Sequence, residues 1–358
     1  MISPKPFLIS AAVLLGTAGV ANARPVAPPA FTVKVFAGAP NRATSGPDDI
    51  AALNGHVFVG WQNGIGPKGQ PAPKTNKTSS LLVEYGHSGR PVAKWSLVGK
   101  VDGISGDPGL NAVIATVNED GNTSLYTIKP NASHSHQVTH YKYSPSPDAS
   151  GKSPVITGGG TDDVTVVGGK ILISASAPTR RGRAAAFLAR LNSRTAVAKL
   201  SSAFADDARA IDGLSGANVK LSLTDPDSNA AVPTSAGLYG GDFMLDGQAD
   251  QQLVFAHGLG SGHVSLTRLL LNYNGKRAGV DDVRWAQSTG QTLYVVDAGA
   301  NKIYSVRGPF SPGDAVAAMD SVGTKSFGTQ VATLNPGSGE LTPFITGLKA
   351  AKGLLFGP

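Results

Sequence analysis

The chain has 358 residues, of which 45 are glycine and 24 proline, close to one residue in five. Helix interiors tolerate neither, which excludes a helical bundle or coiled coil, while 41% hydrophobic residues suffice for a packed core and exclude a disordered chain. The net charge of +7 is spread thinly over a chain with 15% charged and 6% aromatic residues; its densest basic run, Arg180-Arg181-Gly182-Arg183, lacks the interleaved aromatics of a nucleic-acid surface, so no nucleic-acid partner is expected.

Residues 1–23 read as a signal peptide. Lys5 supplies the positive start, Phe7 to Val20 is an apolar stretch too short to span a bilayer comfortably, and Ala21-Asn22-Ala23 is an A-x-A cleavage site. This predicts a secreted or periplasmic chain, cleaved after Ala23 and folded as one domain over 24–358. No later apolar run approaches the length of a membrane span, so no transmembrane anchor is expected. The absence of cysteine removes thiol catalysis, disulfides and cysteine-ligated zinc. A monomer is expected.

The first predicted strand is Phe31 to Phe36, where Phe31, Val33 and Val35 alternate with Thr32 and Lys34. A loose repeat follows, in which an acidic junction precedes an apolar strand, a turn and a second strand. Its copies start at Asp48-Asp49-Ile50, Asp102-Gly103-Ile104, Asp162-Asp163-Val164, Gly241-Asp242-Phe243 and Asp281-Asp282-Val283, with a degenerate last copy at Lys352-Gly353-Leu354. Six hairpins are predicted: 55–60 with 80–85, 111–117 with 122–129, 169–175 with 185–193, 252–257 with 263–271, 291–296 with 301–306, and 314–320 with 327–334. Gly, Asn and Asp fill the intervening turns, as hairpins require. Ala184 to Leu191 and Asp314 to Met319 have helix-like compositions, but they fall at repeat positions and are read as strands. The Pro-, Gly-, Lys- and Ser-rich segments 62–78 and 143–160 read as exposed loops.

Hairpins of this kind at repeated spacing predict an all-β, six-bladed β-propeller, with seven blades as the alternative. Phe31 to Phe36 and the apolar Gly353-Leu354-Leu355-Phe356 are expected to share the last blade and close the ring, leaving no exposed edge. The segment Leu293-Tyr294-Val295-Val296-Asp297-Ala298-Gly299-Ala300-Asn301-Lys302-Ile303-Tyr304 resembles an NHL-type blade. Residues Thr346 to Phe356 resemble a blade junction of the same superfamily, and the repeated acidic junctions are similar to those of the SMP-30/gluconolactonase-like six-bladed propellers.

In a propeller, equivalent residues of every blade surround one axis. Asp48, Asp102, Asp162 and Asp281 are therefore expected to converge at the channel mouth, with Gly241 and Lys352 in the other two positions. Clustered carboxylates repel unless protonated or bridged by a cation, and Ca²⁺ or another divalent cation accepts six to eight oxygens. The resemblance implies a metal at this place. The alternative is that each aspartate caps its own turn. The second acids, Asp49, Asp163, Asp242 and Asp282, are expected on the other side of the strand, bonding backbone amides between blades.

Asp225-Pro226-Asp227-Ser228-Asn229 opens like a calcium loop, but Ala230 and Ala236 stand where an EF-hand needs Gly and Glu. It reads as a turn-rich entry to a blade or a short cation- or ligand-facing loop. On a strand, His134, His136 and His140 would share one face, as metal ligands or as plain surface histidines. Gly258-Leu259-Gly260-Ser261-Gly262-His263 lies in a hairpin turn with no following helix, so it is no phosphate cradle.

Two functions remain. One is a metal-supported hydrolase of lactones or esters, with Asp162 or Asp281 as general base. The other is a non-catalytic propeller of the cell envelope that binds a small molecule or an envelope protein on its rimmed face.

Overall fold

The computed structural model describes residues 24–148, 159–178, 182–260 and 263–357. The predicted signal peptide over 1–23, most of the predicted 143–160 loop, Arg180-Arg181 and part of the 258–263 turn lie outside the described residues. The rest is a β-propeller, with three single-turn 3-10 helices as its only helical pieces among the described residues.

After β1 (Thr32–Gly38), four consecutive strands form one antiparallel meander: β2 (Pro47–Leu53), β3 (His56–Trp61), β4 (Ser79–Tyr85) and β5 (Pro91–Val98). Its first turn is Asn54-Gly55, both at positive φ (52° and 81°), the pair that a tight hairpin with the right twist demands. The arrangement repeats in β6 (Val101–Asp107), β7 (Ala112–Val117), β8 (Ser124–Ile128) and β9 (Val138–Ser144), and in β10 (Thr161–Val167), β11 (Lys170–Ala175), β12 (Ala184–Asn192) and β13 (Val197–Ala205). A parallel pairing of β13 with β9 joins these two meanders at their outer edges. Two short strands, β14 (Arg209–Asp212) and β15 (Asn218–Lys220), flank the outer edge of the next meander, made of β16 (Pro226–Ala231), β17 (Phe243–Gly247), β18 (Gln252–His257) and β19 (Ser265–Leu270).

The last part of the chain exchanges strands between two sheets. β20 (Asn272–Tyr273) leads into β21 (Lys276–Trp285), and the hairpin β22 (Thr292–Asp297) and β23 (Lys302–Arg307) follows. β21 does not pair with β22, against the expectation of a fifth repeat running straight on. It pairs with β24 (Ala315–Val322), which continues through β25 (Lys325–Ser326), β26 (Gln330–Asn335) and β27 (Glu340–Thr346). The β22–β23 hairpin crosses to the neighbouring sheet, where β28 (Ala351–Gly357) flanks β22 and β1 flanks β23. The two ends of the fold therefore lie in one four-stranded sheet. All six predicted hairpins form, and the two helix-like segments are strands.

Six apolar cores each fill the space between two neighbouring sheets. Innermost strands touch in the order β2, β6, β10, β16, β21, β28 and back to β2. The predicted alternation of β1 holds only to its middle. The register slips between Val35 and Ala37, so Val35 is exposed and Phe36 turns inward, its ring centroid 4.7 Å from that of Tyr294. Phe31 packs against Phe310 and Phe344 at 4.9 and 4.8 Å.

Candidate functional site

Each innermost strand carries one residue more than its partner at the acidic junction. The register slips between Pro47 and Ile50, Val101 and Ile104, Thr161 and Val164, Pro226 and Asn229, Val280 and Asp282, and, on β28, between Ala351 and Leu354. Such a bulge re-aims side chains that strict alternation would send to opposite faces. Both junction residues thereby turn toward the axis, in two layers.

The first layer is Asp48, Asp102, Asp162, Asp227, Asp281 and Lys352, all lining a cavity of about 350 Å³. The four aspartates expected at the mouth are brought together. Gly241 is not: it precedes β17, a second strand, and its neighbour Asp242 sits 2.7 Å from His257 Nδ1, away from this cavity. Asp227 fills that place. Its copy of the junction lacks a second acid, and no run of branched apolar residues follows it, so the Gly-Asp-Phe of the next strand matched the repeat better.

Asp225, with Asp227 and Ser228 of the predicted cation- or ligand-facing loop, lines the cavity; Glu119, Asp120, Lys100 and Gln248 also line it and escaped the sequence reading. Their signal is positional, since they follow the second strand or precede the first. Gln62 and Gln248, each just past a second strand, hydrogen-bond the first-layer acid of the next sheet, Gln62 to Asp102 and Gln248 to Asp281, both at 3.3 Å. Eleven of the chain's 24 acids line this space with only two of its 31 Lys and Arg residues.

Those two lysines are engaged. Lys100 Nζ lies 2.7 Å from Asp102 and 2.6 Å from Glu119, and Lys352 pairs with Asp281. Burial alone would lower Lys100, but Asp102, Glu119 and Asp48 outweigh it and hold it protonated; for Lys352, Asp281 is the main cause. Among the described residues, Asp48, Asp162 and Asp227 have no ion pair with a lysine or arginine. Burial pushes Asp48 up to about 6. It drives Asp162 well above the usual carboxylate range, helped by Asp227, Glu119 and Asp102, and Asp227 likewise, helped by Asp281.

The second layer is a hub around Arg284. Asp49 Oδ2 accepts from the Ile104 amide at 2.6 Å, Asp163 Oδ2 from Asn229 at 2.9 Å, and Asp282 Oδ2 from Leu354 at 2.7 Å, each the amide of the next innermost strand. Arg284 bonds Asp282 and the Asn229 carbonyl (3.0 Å), with Asp163 at 3.8 Å. The intervening strands carry Gly103, Ser228 and Gly353 in this layer. A Cβ at Gly103 would come within 2.4 Å of the Asp163 backbone, so small residues make room for the three acids. Asp49, Asp163 and Asp282 thus bond amides between sheets as expected, and Asp242 does not.

The remaining motifs fall elsewhere. His134 and His136 lie on a 3-10 turn, and the strand begins only at Val138, so the three histidines share no strand face. His140 stacks on Tyr126 at 4.2 Å.

The donor set of the cavity suits a hard cation: carboxylates turned into a polar space, with the buried Asp102 Oδ2 left without a partner among the described residues. Among the described residues, no three His, Cys, Asp or Glu side chains stand ready in a coordination sphere. A cation would draw these carboxylates together.

No protein-family model matches the chain, and no curated protein matches it. Among solved structures, it is similar to a periplasmic gluconolactonase of Pseudomonas aeruginosa, at 12% identity and a TM-score of 0.51 over 92% of this chain and 99% of that one. It is also similar to a protein of unknown function from Bacteroides caccae, at 10% identity and a TM-score of 0.47 over 86% and 85%. At such identities the likeness shows the fold alone. Among the described residues no helix is long and apolar enough to cross a membrane.

Proposed function

We propose that this is a secreted or periplasmic six-bladed propeller, closed by β1 and β28, whose acidic axial cavity takes up a divalent cation and hydrolyses a lactone or related ester. Numbered along the chain, the first to fourth blades are the meanders opening at β2, β6, β10 and β16. The fifth opens at β21, and the sixth is β28, β22, β23 and β1. One observation carries the reading: Asp48, Asp162 and Asp227 face one cavity with no lysine paired to them among the described residues. Calcium is the natural occupant, with Asp48, Asp102 and Asp162 holding it. Bound there, it supplies Lewis-acid polarisation and a water of lowered pKa.

The chain's own groups do the rest. Asp162, on the wall of the cavity, accepts the proton of the attacking water. Lys352 pairs with Asp281, and Gln248 hydrogen-bonds that carboxylate and fixes its orientation, so Asp281 positions the substrate or serves as a second base. Lys100 holds Asp102 turned inward. The test is a lactone and ester panel on the mature protein. Hydrolysis that needs calcium and is lost in Asp162→Asn supports the reading; a protein inactive on the panel and indifferent to chelator defeats it.

The two lysine clusters favour a second reading. Lys100 and Lys352 already neutralise part of the acid wall, which suits a non-catalytic propeller binding a cationic small molecule or envelope protein. A calcium-independent ligand captured from envelope extract and released by Asp48→Asn would select it.

A further inference from the structure

Each junction bulge turns a backbone amide and carbonyl out of the ladder, and the residue opposite on the second strand determines what they meet. In the second blade this is Thr116, whose hydroxyl accepts from the Gly103 amide at 3.0 Å and reaches the Asp162 carbonyl of the next blade. In the third it is Ser174, whose hydroxyl accepts from the Asp163 amide at 2.9 Å and from Asn229 Nδ2 at 3.1 Å. Both side chains are neutral, satisfied, and turned toward the next innermost strand.

In the fourth blade the place belongs to Asp246. Pro226 pairs with Gly247 and Asn229 with Leu245, so Asp246 lies opposite the Asp227-Ser228 bulge. It is 0% exposed, and neither carboxylate oxygen has a hydrogen-bond partner among the described residues. The Ser228 hydroxyl, buried in the same bulge, has none either. The charges acting on Asp246 most strongly are all acids: Asp227, Asp281, Asp225 and Asp282. Lys352 is committed to Asp281. A carboxylate with neither donor nor counter-ion is among the costliest groups to bury, yet this fold places one where a hydroxyl serves its neighbours.

We propose that Asp246, Asp227 and the Ser228 hydroxyl form a site for a hard divalent cation in the wall of the acidic cavity, between the fourth and fifth blades. Two carboxylates and a hydroxyl are the oxygen donors that calcium or magnesium takes, with water completing the shell. Asp246 stands opposite the bulge that carries Asp227 and Ser228, and those two residues line the cavity. The cation supplies at this junction what the Thr116 and Ser174 hydroxyls supply at theirs, a partner for the bulge. It fastens the fourth blade to the fifth. The site is distinct from the mouth formed by Asp48, Asp102 and Asp162, and it does not rest on the hydrolytic reading.

The experiment is a thermal melt of the chelator-stripped mature chain at pH 7, titrated with calcium chloride alone. Wild type should melt higher as calcium is added. Asp246→Ser restores the hydroxyl of the neighbouring blades, and Asp246→Asn keeps the shape while removing the charge. Both should move the calcium midpoint up by about tenfold or more, and Asp246→Ser should melt above wild type in chelator. The Asp246-dependent shift of the midpoint should persist in an Asp162→Asn background, which removes only a carboxylate of the mouth. The proposal is overturned if both Asp246 variants keep the wild-type midpoint, or if calcium leaves wild-type melting unchanged. A wild type inactive on lactones and esters that still shows the Asp246-dependent midpoint defeats the hydrolytic reading alone.

Discussion

Asp48 and Asp49 adjoin in sequence and both border the acidic cavity, but their bonding partners differ. Asp49 is buried beside the Arg284 hub with the Ile104 amide on its carboxylate; Asp48 faces an acid-rich cavity. The same division separates Asp162 from Asp163 and Asp281 from Asp282. One layer of carboxylates bonds amides between neighbouring innermost strands, and the layer above faces the cavity, with lysines on Asp102 and Asp281. The teaching is that a repeated acidic dipeptide is not one feature. A single extra residue in each innermost strand splits it into a half that bonds amides of the next strand and a half that faces the cavity.

The harshest way to break both layers at once is to delete residues 352–358. This removes Lys352 from the cavity, the Leu354 amide from the hub, and the buried Leu354 and Phe356 from the core. Burying a few large side chains at about 1.5–3 kcal/mol each rivals the roughly 5–15 kcal/mol that holds a domain folded. Soluble expression should be lost or the melting temperature fall steeply; a truncated chain that melts like the intact one refutes closure through β28.

Replacing Arg284 with Met attacks the hub alone. Three buried carboxylates would lose their one guanidinium, which is 18% exposed, at a cost of about 3–5 kcal/mol in denaturant melts. Asp49→Ala is milder, leaving the Ile104 amide unpaired for about 1–3 kcal/mol.

The pH dependence sharpens the contrast. Burial raises Asp48 and Asp163 to about 6 and Asp282 to about 7, from 3.8. The native state therefore holds more protons than the unfolded chain between those values, and stability falls as pH rises from about 4 to about 7. Asp212, drawn down to about 2 by Arg268, acts oppositely and only below that window. Melts in chelator should show the highest melting temperature on the acid side, and a flat or rising profile contradicts the burial of these acids.

The smallest effect is expected at Asp48→Asn. With no lysine paired to Asp48, its removal should leave stability unchanged or raise it by up to about 1 kcal/mol. A loss as large as that of Asp49→Ala would erase the distinction between the layers.

The sequence showed each hairpin, because turn residues such as Asn54-Gly55 and period-two strands are local signals. It did not show which innermost strand each hairpin joins. The passage of β22–β23 into the sheet of β28 depends on contacts between residues far apart in the chain. Four of the five acids in the upper layer were legible from their apolar followers. Asp227 was read only as part of a cation- or ligand-facing loop, because Ser228-Asn229-Ala230-Ala231 hid its place in the repeat, and Asp246 gave no sign, since only a structure shows that it faces a bulge.

Whether the upper layer takes up a cation is decided by calorimetric titration of calcium into the stripped protein at pH 7, repeated in buffers of different ionisation enthalpy. Carboxylates raised by burial must shed protons as a cation binds. The account predicts saturable binding with proton release, weakened by the double substitution Asp48→Asn with Asp162→Asn. Absence of binding, or binding with the same heat in every buffer and unaltered by those substitutions, would contradict it.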